Sequence, residues 1–373
     1  MLWIALALLA QDKTVDAFEG ELSGWTAFKL DAGAVDADLE SKIEIAQEGA
    51  KAGKGALAFT YDVSPGVIRV LARQGPFELG GMKSLRFWVK CSAATALVVS
   101  LTESNGAGYQ APFSVSAGTW QEVVLNFDEF TADDPAKDPN GKLDVDDVAS
   151  LSLFDFAGFL ALLVPETKGR RTIGVDDLRF SPAAAPLTTG VTSVTRVVPA
   201  HLIDSFESPV IRWAPLSVEF GDALKINLFD AALAIDSLAP PGGGRQALRF
   251  SYPRKPAKVH GILRSTEKLD LSKAGSLELW LRTSHDGSYL VNLEEKDGSR
   301  YDKVVELRAA DGWTSFAATW GDFKLADDSQ DENGRLDPSE LKQVLVADAT
   351  SLFGGPPVDE VRLWIDEVRF LLK

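Results

Sequence analysis

The chain has 373 residues, 45% of them hydrophobic, which is enough for two domains with a core each. Lys and Arg number 38 and Asp and Glu 54, so the net charge is 38 − 54 = −16. Such a surface repels nucleic acid and anionic lipid and excludes both as main partners; it suits a cation-binding extracellular protein and is equally an ordinary means of staying soluble. One cysteine, Cys91, leaves no intrachain disulfide, and the three histidines, His201, His260 and His285, have no metal-ligand spacing, which argues against a zinc site or a His-based triad.

At the N-terminus, residues 2–10 form a short apolar run that ends in small residues and meets polar sequence at Gln11. This predicts a signal peptide over residues 1–10 and a secreted, periplasmic or cell-surface protein; a frayed apolar first strand is the other reading. The run is too short to cross a bilayer, so no membrane insertion is expected.

Past it, the chain reads Asp16-Ala17-Phe18-Glu19 and then Trp25, an order that returns as Asp204-Ser205-Phe206-Glu207 and Trp213. Alternating segments predict half-buried strands at residues 56–61 and 247–252, then 85–90 and 277–282, then 97–103 and 290–295. The last of these in each copy leads to a Gly-bearing turn and a tyrosine, Tyr109 or Tyr301. Next, Trp120 and Trp313 each open a strand that ends in an aromatic-acidic corner and an acidic loop, D-x-N-G-x-L-D, at 138–144 and 331–337. The offset is constant, 313 − 120 = 193 and 331 − 138 = 193, and marks an internal duplication. Each copy closes on a strand, 173–180 or 363–370.

Residues 183–200, rich in Pro, Ala and Thr, predict a linker between a first domain at 11–182 and a second at 201–373. Residues 191–198 alternate well enough to add an edge strand. Helical signals are scarce, with 338–346 the best short candidate. Many short strands with turn signals between them give an all-β fold of two tandem antiparallel β-sandwich domains.

The succession of D-x-F-E, a tryptophan, L-x-F-W or L-x-L-W, a tryptophan-led strand, the acidic corner and finally V-D-D-L-x-F or I-D-E-V-x-F resembles the galactose-binding-like jelly roll of non-catalytic carbohydrate-binding modules. The resemblance spans nearly the whole chain past residue 10, twice. It implies jelly-roll sandwiches, a polysaccharide or glycan partner, and a structural calcium between first and last strands. The acids that match are Glu19 with Asp176 and Glu207 with Asp366. Solvent-facing acids at sheet edges are the competing reading.

The acidic loops suggest a second Ca2+ position, because calcium takes six to eight oxygen ligands in irregular geometry. On an EF-hand register the second loop places Asp331, Asn333, Asp337 and Glu340 as ligands around Gly334, and the first places Asp138, Asn140, Asp144 and Asp147 around Gly141. The first ligand position holds Ser329 or Ala136 instead of Asp, and Asn-Gly forms a turn unaided, so an ion-free turn stays open as a reading.

For a glycan, an aromatic platform flanked by planar polar groups is the natural surface. Period two puts Trp88 on one face with Arg86 and Lys90, and Trp280 with Glu278 and Arg282. Ser100 and Thr102, or Asn292 and Glu294, are expected to complete that face from the next strand. Trp25, Trp213, Trp120, Trp313 and Trp320 read as core. No nucleophile elbow, HExxH, phosphate loop or dinucleotide fingerprint stands in a supporting context, so no enzyme is expected. The expected role is non-catalytic glycan binding. The alternative is a structural or adhesion protein of the cell envelope that binds other proteins.

Overall fold

The computed structural model describes residues 11–22, 24–31, 33–134, 136–138, 140–164, 167–184, 200–221, 223–267 and 269–373. The segments expected to be a signal peptide (1–10) and an edge strand (191–198), with most of the linker at 183–200, lie outside the described residues. The chain divides into two units, Met1–Ala185 and Pro186–Lys373, each an antiparallel β-sandwich of the jelly-roll type expected.

In the first unit, a six-stranded sheet runs in spatial order Gln121–Asn126, Ser84–Cys91, Gly169–Ser181, Ala56–Val63 and Lys42–Ala46, with Lys13–Asp16 also paired to Gly169–Ser181. Its seven-stranded partner runs Thr131–Ala132, Gly108–Val115, Thr95–Glu103, Val148–Asp155, Val67–Gln74, Trp25–Asp31 and Ala34–Ala37. The second unit repeats the plan. Its six strands are Ala232–Asp236, Ala247–Arg254, Val358–Leu372, Ala274–Thr283 and Thr314–Thr319, with Ala200–Asp204 beside Val358–Leu372. Its seven are Lys225–Leu228, Ala214–Glu219, Lys258–Ser265, Leu341–Asp348, Gly287–Glu295, Arg300–Leu307 and Lys324–Leu325.

Alternation sets the layers. Leu85, Phe87 and Val89 are buried while Arg86, Trp88 and Lys90 are only partly so. Leu277, Leu279 and Leu281 repeat this in the second unit. The cores are aromatic-rich, with Phe59, Phe113 and Phe180 in one and Trp213, Phe250 and Phe370 in the other.

Several expectations need correction. Residues 338–346 are not a helix: Pro338–Glu340 is one 3-10 turn, and Leu341–Asp348 is a central strand. Proline at the first helical position started the turn, but Val344 and Val346 alternate into the core between two partner strands, and that burial decides the outcome. The one α-helix among the described residues, Ala157–Leu163, was not anticipated, since seven mostly apolar residues carry no amphipathic period. Of the tryptophans expected in the core, Trp213 is fully buried and Trp320 packs against the core from its rim. Trp25, Trp120 and Trp313 are only partly buried. Trp120 lies against Gly174, where an added Cβ would stand 3.0 Å from the indole.

Candidate glycan face and cation sites

Each D-x-F-E segment is built around one aspartate. Asp16 accepts the Phe18 amide at 2.8 Å and the Trp25 indole N–H at 3.0 Å. Asp204 does the same for Phe206 at 3.0 Å and Trp213 at 3.2 Å. Phe18 and Phe206 both take left-handed backbone angles, φ 56° and 54°, which non-glycine residues rarely adopt. The turn drives the phenylalanine into the core, 1% exposed in both units, and leaves the next residue, Glu19 or Glu207, outside it.

There the glutamates meet glycine-bearing loops. Glu19 accepts the Lys54 amide at 2.8 Å, and Glu207 accepts the amides of Arg245 and Gln246. A Cβ on Gly53 would lie 1.8 Å from the Glu19 carboxylate and one on Gly244 2.0 Å from that of Glu207, so a side chain at either place would displace the glutamate from these amides. On the last strands, Asp176 and Asp366 are both 0% exposed. One oxygen of Asp176 accepts the Lys51 and Ala52 amides, at 2.7 and 2.8 Å; one of Asp366 accepts the Glu367 amide at 2.7 Å. The other oxygen of each, Asp176 Oδ1 and Asp366 Oδ2, is buried with no hydrogen-bond partner. Burial, then the negative charges of Glu367, Glu207 and Asp204, push the Asp366 carboxyl up to about 8. An orphaned carboxylate oxygen stands in both units, beside further acids in the second, and carboxylate oxygen is the ligand type that a hard cation takes.

The acidic loops fold similarly in both units. Asp138 accepts the Tyr109 hydroxyl and the amides of Asn140 and Lys142, both at 3.1 Å. Asp331 accepts the Tyr301 hydroxyl and the amides of Asn333 at 3.2 Å and Arg335 at 2.9 Å. Asn140 donates to Asp144 at 3.0 Å, and Asn333 to Asp337 at 2.7 Å. Asp147 faces elsewhere, taking the Ser104 hydroxyl at 2.6 Å.

Two loop residues went unnoticed in the sequence. Glu295 ends the strand Gly287–Glu295 and Asp297 lies in the turn after it, and ligand oxygens of Glu295, Asp297 and Asp331 all lie within 4.8 Å of one another. A cavity of about 150 Å³ there is also lined by Asn333, Asp337 and Glu340. Burial, against the Asp337 amide it accepts, pushes Glu295 up to about 7. In the first unit the matching positions are Glu103 and Asn105, an amide replacing one carboxylate (295 − 103 = 192, 297 − 105 = 192). Asn105 donates to Glu103 at 3.1 Å.

The aromatic face divides. Arg86, Trp88 and Lys90, and Glu278, Trp280 and Arg282, do line the outer surface of the six-stranded sheets. Asn292 and Glu294, with Ser100 and Thr102, belong to the seven-stranded sheets, so they do not share a face with the tryptophans. The chain after residue 91 or 283 crosses to the opposite sheet instead of pairing with the strand before it. Both residues are also engaged already: Asn292 donates to Asp302 at 2.6 Å, and Glu294 accepts from Lys342 at 3.0 Å and Gln343 at 2.7 Å.

On the six-stranded faces, Trp88 pairs across strands with Asp176 and Trp280 with Asp366, which sets each aromatic beside a carboxylate in the middle of the last strand. The Lys51 ammonium lies 4.2 Å from the Trp88 ring centre. In the second unit the face gains Trp364, which stands beside Arg282 and Arg249 in register. The Arg282 guanidinium lies 5.4 Å from the Trp364 ring, and the indole N–H donates to Asp236 at 2.9 Å.

No family model matches the chain, and neither does any curated protein. Among solved structures it is similar to the family 11 carbohydrate-binding module of cellulosomal cellulase Lic26A-Cel5E of Clostridium thermocellum, at 15% identity over 46% of this chain and 95% of that one, with a TM-score of 0.35. It is also similar to the CBM22-1-CBM22-2 tandem domain of Paenibacillus barcinonensis Xyn10C, at 15% identity over 99% of both chains, with a TM-score of 0.31. An exo-beta-agarase matches at 14% identity over 47% of this chain and 25% of its own length, with a TM-score of 0.34.

Proposed function

We propose that this chain is an exported, non-catalytic binding protein for polysaccharide or glycan, built of two calcium-braced sandwich modules. The observation that carries the reading is the outer six-stranded face. In both units it presents a partly exposed tryptophan beside cationic side chains, Trp88 with Arg86 and Lys90, and Trp280 with Arg282, to which the second unit adds a further aromatic, Trp364. A pyranose stacks its apolar face on such a ring while the flanking donors reach its hydroxyls.

The brace rests on Asp176 and Asp366. Each holds a buried oxygen without a hydrogen-bond partner among the described residues. Calcium there would be held with Glu19 or Glu207 and would neutralise the buried charge; the acidic loops supply a second candidate position on Asp138, Asn140 and Asp144, and on Glu295, Asp297, Asp331 and Asp337. Two modules in series raise avidity through effective concentration.

Affinity electrophoresis in gels containing soluble mixed-linkage β-glucan, xylan or agarose tests the reading. Retardation in at least one gel, weakened in Trp88→Ala and Trp280→Ala variants of unchanged thermal stability, is the expected result. Free migration in all of them would overturn it.

A further inference from the structure

We propose that His260 is an acid-sensitive latch in the second sandwich: protonating it opens that end of the module, while the first sandwich stays closed. His260 lies on Lys258–Ser265, 1% exposed, with its ring stacked on Tyr252 at 5.1 Å between centres. Neither Nδ1 nor Nε2 has a hydrogen-bond partner. A neutral imidazole left this way forfeits two hydrogen bonds; a cation there would be buried with no carboxylate hydrogen-bonded to it, which is far more costly.

The surrounding groups offer it no hydrogen bond. Asp348, directly opposite on Leu341–Asp348, is already held by the Tyr252 hydroxyl at 2.9 Å, Arg254 at 3.0 Å and the Thr350 amide at 2.9 Å. Across Ala214–Glu219, Ser217 faces His260, and its hydroxyl is committed to Asp230 at 2.5 Å. Asp230 also pairs with Lys258 at 2.8 Å. Lys255 and Lys258 repel a second cation, and Tyr289, on Gly287–Glu295, hydrogen-bonds Thr283. Burial, the largest influence, holds the imidazole down at about 4 despite the attraction of Asp230.

The sign follows. The unfolded chain takes up this proton near pH 6.5 and the folded one only near 4, so stability is complete above 6.5 and is lost as the pH falls towards 4. At pH 4 the opening constant should be raised on the order of 100-fold over that at pH 7 by this group alone. The first unit has Arg69 at the matching place (260 − 69 = 191, as 252 − 61 = 191 for the tyrosines). Arg69 is paired with Asp38 at 2.5 Å and Glu40 at 2.8 Å, so that place holds a salt-bridged guanidinium where the second unit has an imidazole.

Hydrogen exchange of the full chain at pH 7, 5.5 and 4.5, corrected for intrinsic rates, tests this. Measured against His260→Phe at the same pH, which cancels the opposite-signed contributions of Glu295 and Asp366, protection in Lys258–Ser265 and Leu341–Asp348 should fall with acid, while Val67–Gln74 and Val148–Asp155 hold theirs. His260→Phe, which keeps the stack on Tyr252 and cannot titrate, should abolish the difference; equal acid loss in that variant would overturn the latch. Carbon-13 histidine resonances of the unmodified chain give a second readout that needs no variant. His260 should stay neutral to below pH 5, and titration near 6.5 in the folded protein would also overturn the proposal.

Discussion

A single carboxylate does much of the local organisation in each unit. Asp16 fixes the Phe18 turn, the Trp25 indole and, through a 2.9 Å ion pair, Arg73. Asp16→Ala should therefore cost about 1–3 kcal/mol in urea unfolding, because three donors lose an acceptor in a partly buried place; a midpoint within error of the wild type would show that the motif is not held this way. Asp366 gives a pH signature of opposite sign to that of His260. Its folded value is raised, so its contribution is present at low pH and is lost as the pH rises through about 8. In chelator, the second unit should lose roughly 1–2 kcal/mol between pH 6.5 and 8. Added calcium or an Asp366→Asn substitution should flatten that slope, and a slope unchanged by both would remove Asp366 from the cation site.

At the level of elements, the strands were legible because period two survives in segments such as 85–90 and 277–282, where one face is core and the other is not. The helix Ala157–Leu163 was not, because its place depends on a long-range contact: a Cβ on Gly158 would fall 1.7 Å from the Val67 carbonyl oxygen. Gly158→Ala should push the helix off that strand and destabilise the first unit by about 1–3 kcal/mol, read as a lowered first thermal transition. The sites divide likewise. Asp331, Asn333 and Asp337 announce themselves by spacing, whereas Glu295 and Asp297 reach them from some 35 residues upstream through a sheet that no local pattern reveals. The separation of Trp280 from Asn292 was equally invisible, since adjacency in sequence does not say which sheet receives the next strand.

For the whole molecule, duplication explains the architecture, and divergence between the copies explains what differs. Trp364 replaces Gly174, Asp297 replaces Asn105 and His260 replaces Arg69 at matching places. The second unit thus has the larger aromatic face, the more acidic loop and the titratable core. Excess calcium should raise the thermal midpoint of the full chain, with the rise reduced in Asp366→Asn, because an ion that binds only the folded state stabilises it by mass action; no shift at millimolar calcium would leave the modules unbraced by it. The most direct test of the central claim is a calorimetric titration of the full chain with whichever soluble polysaccharide retards it. Saturable heat that is lost in a Trp88→Ala, Trp280→Ala double variant with intact folding is the predicted result. Heat undiminished in that variant would contradict the assignment of the six-stranded faces as the glycan-binding surface.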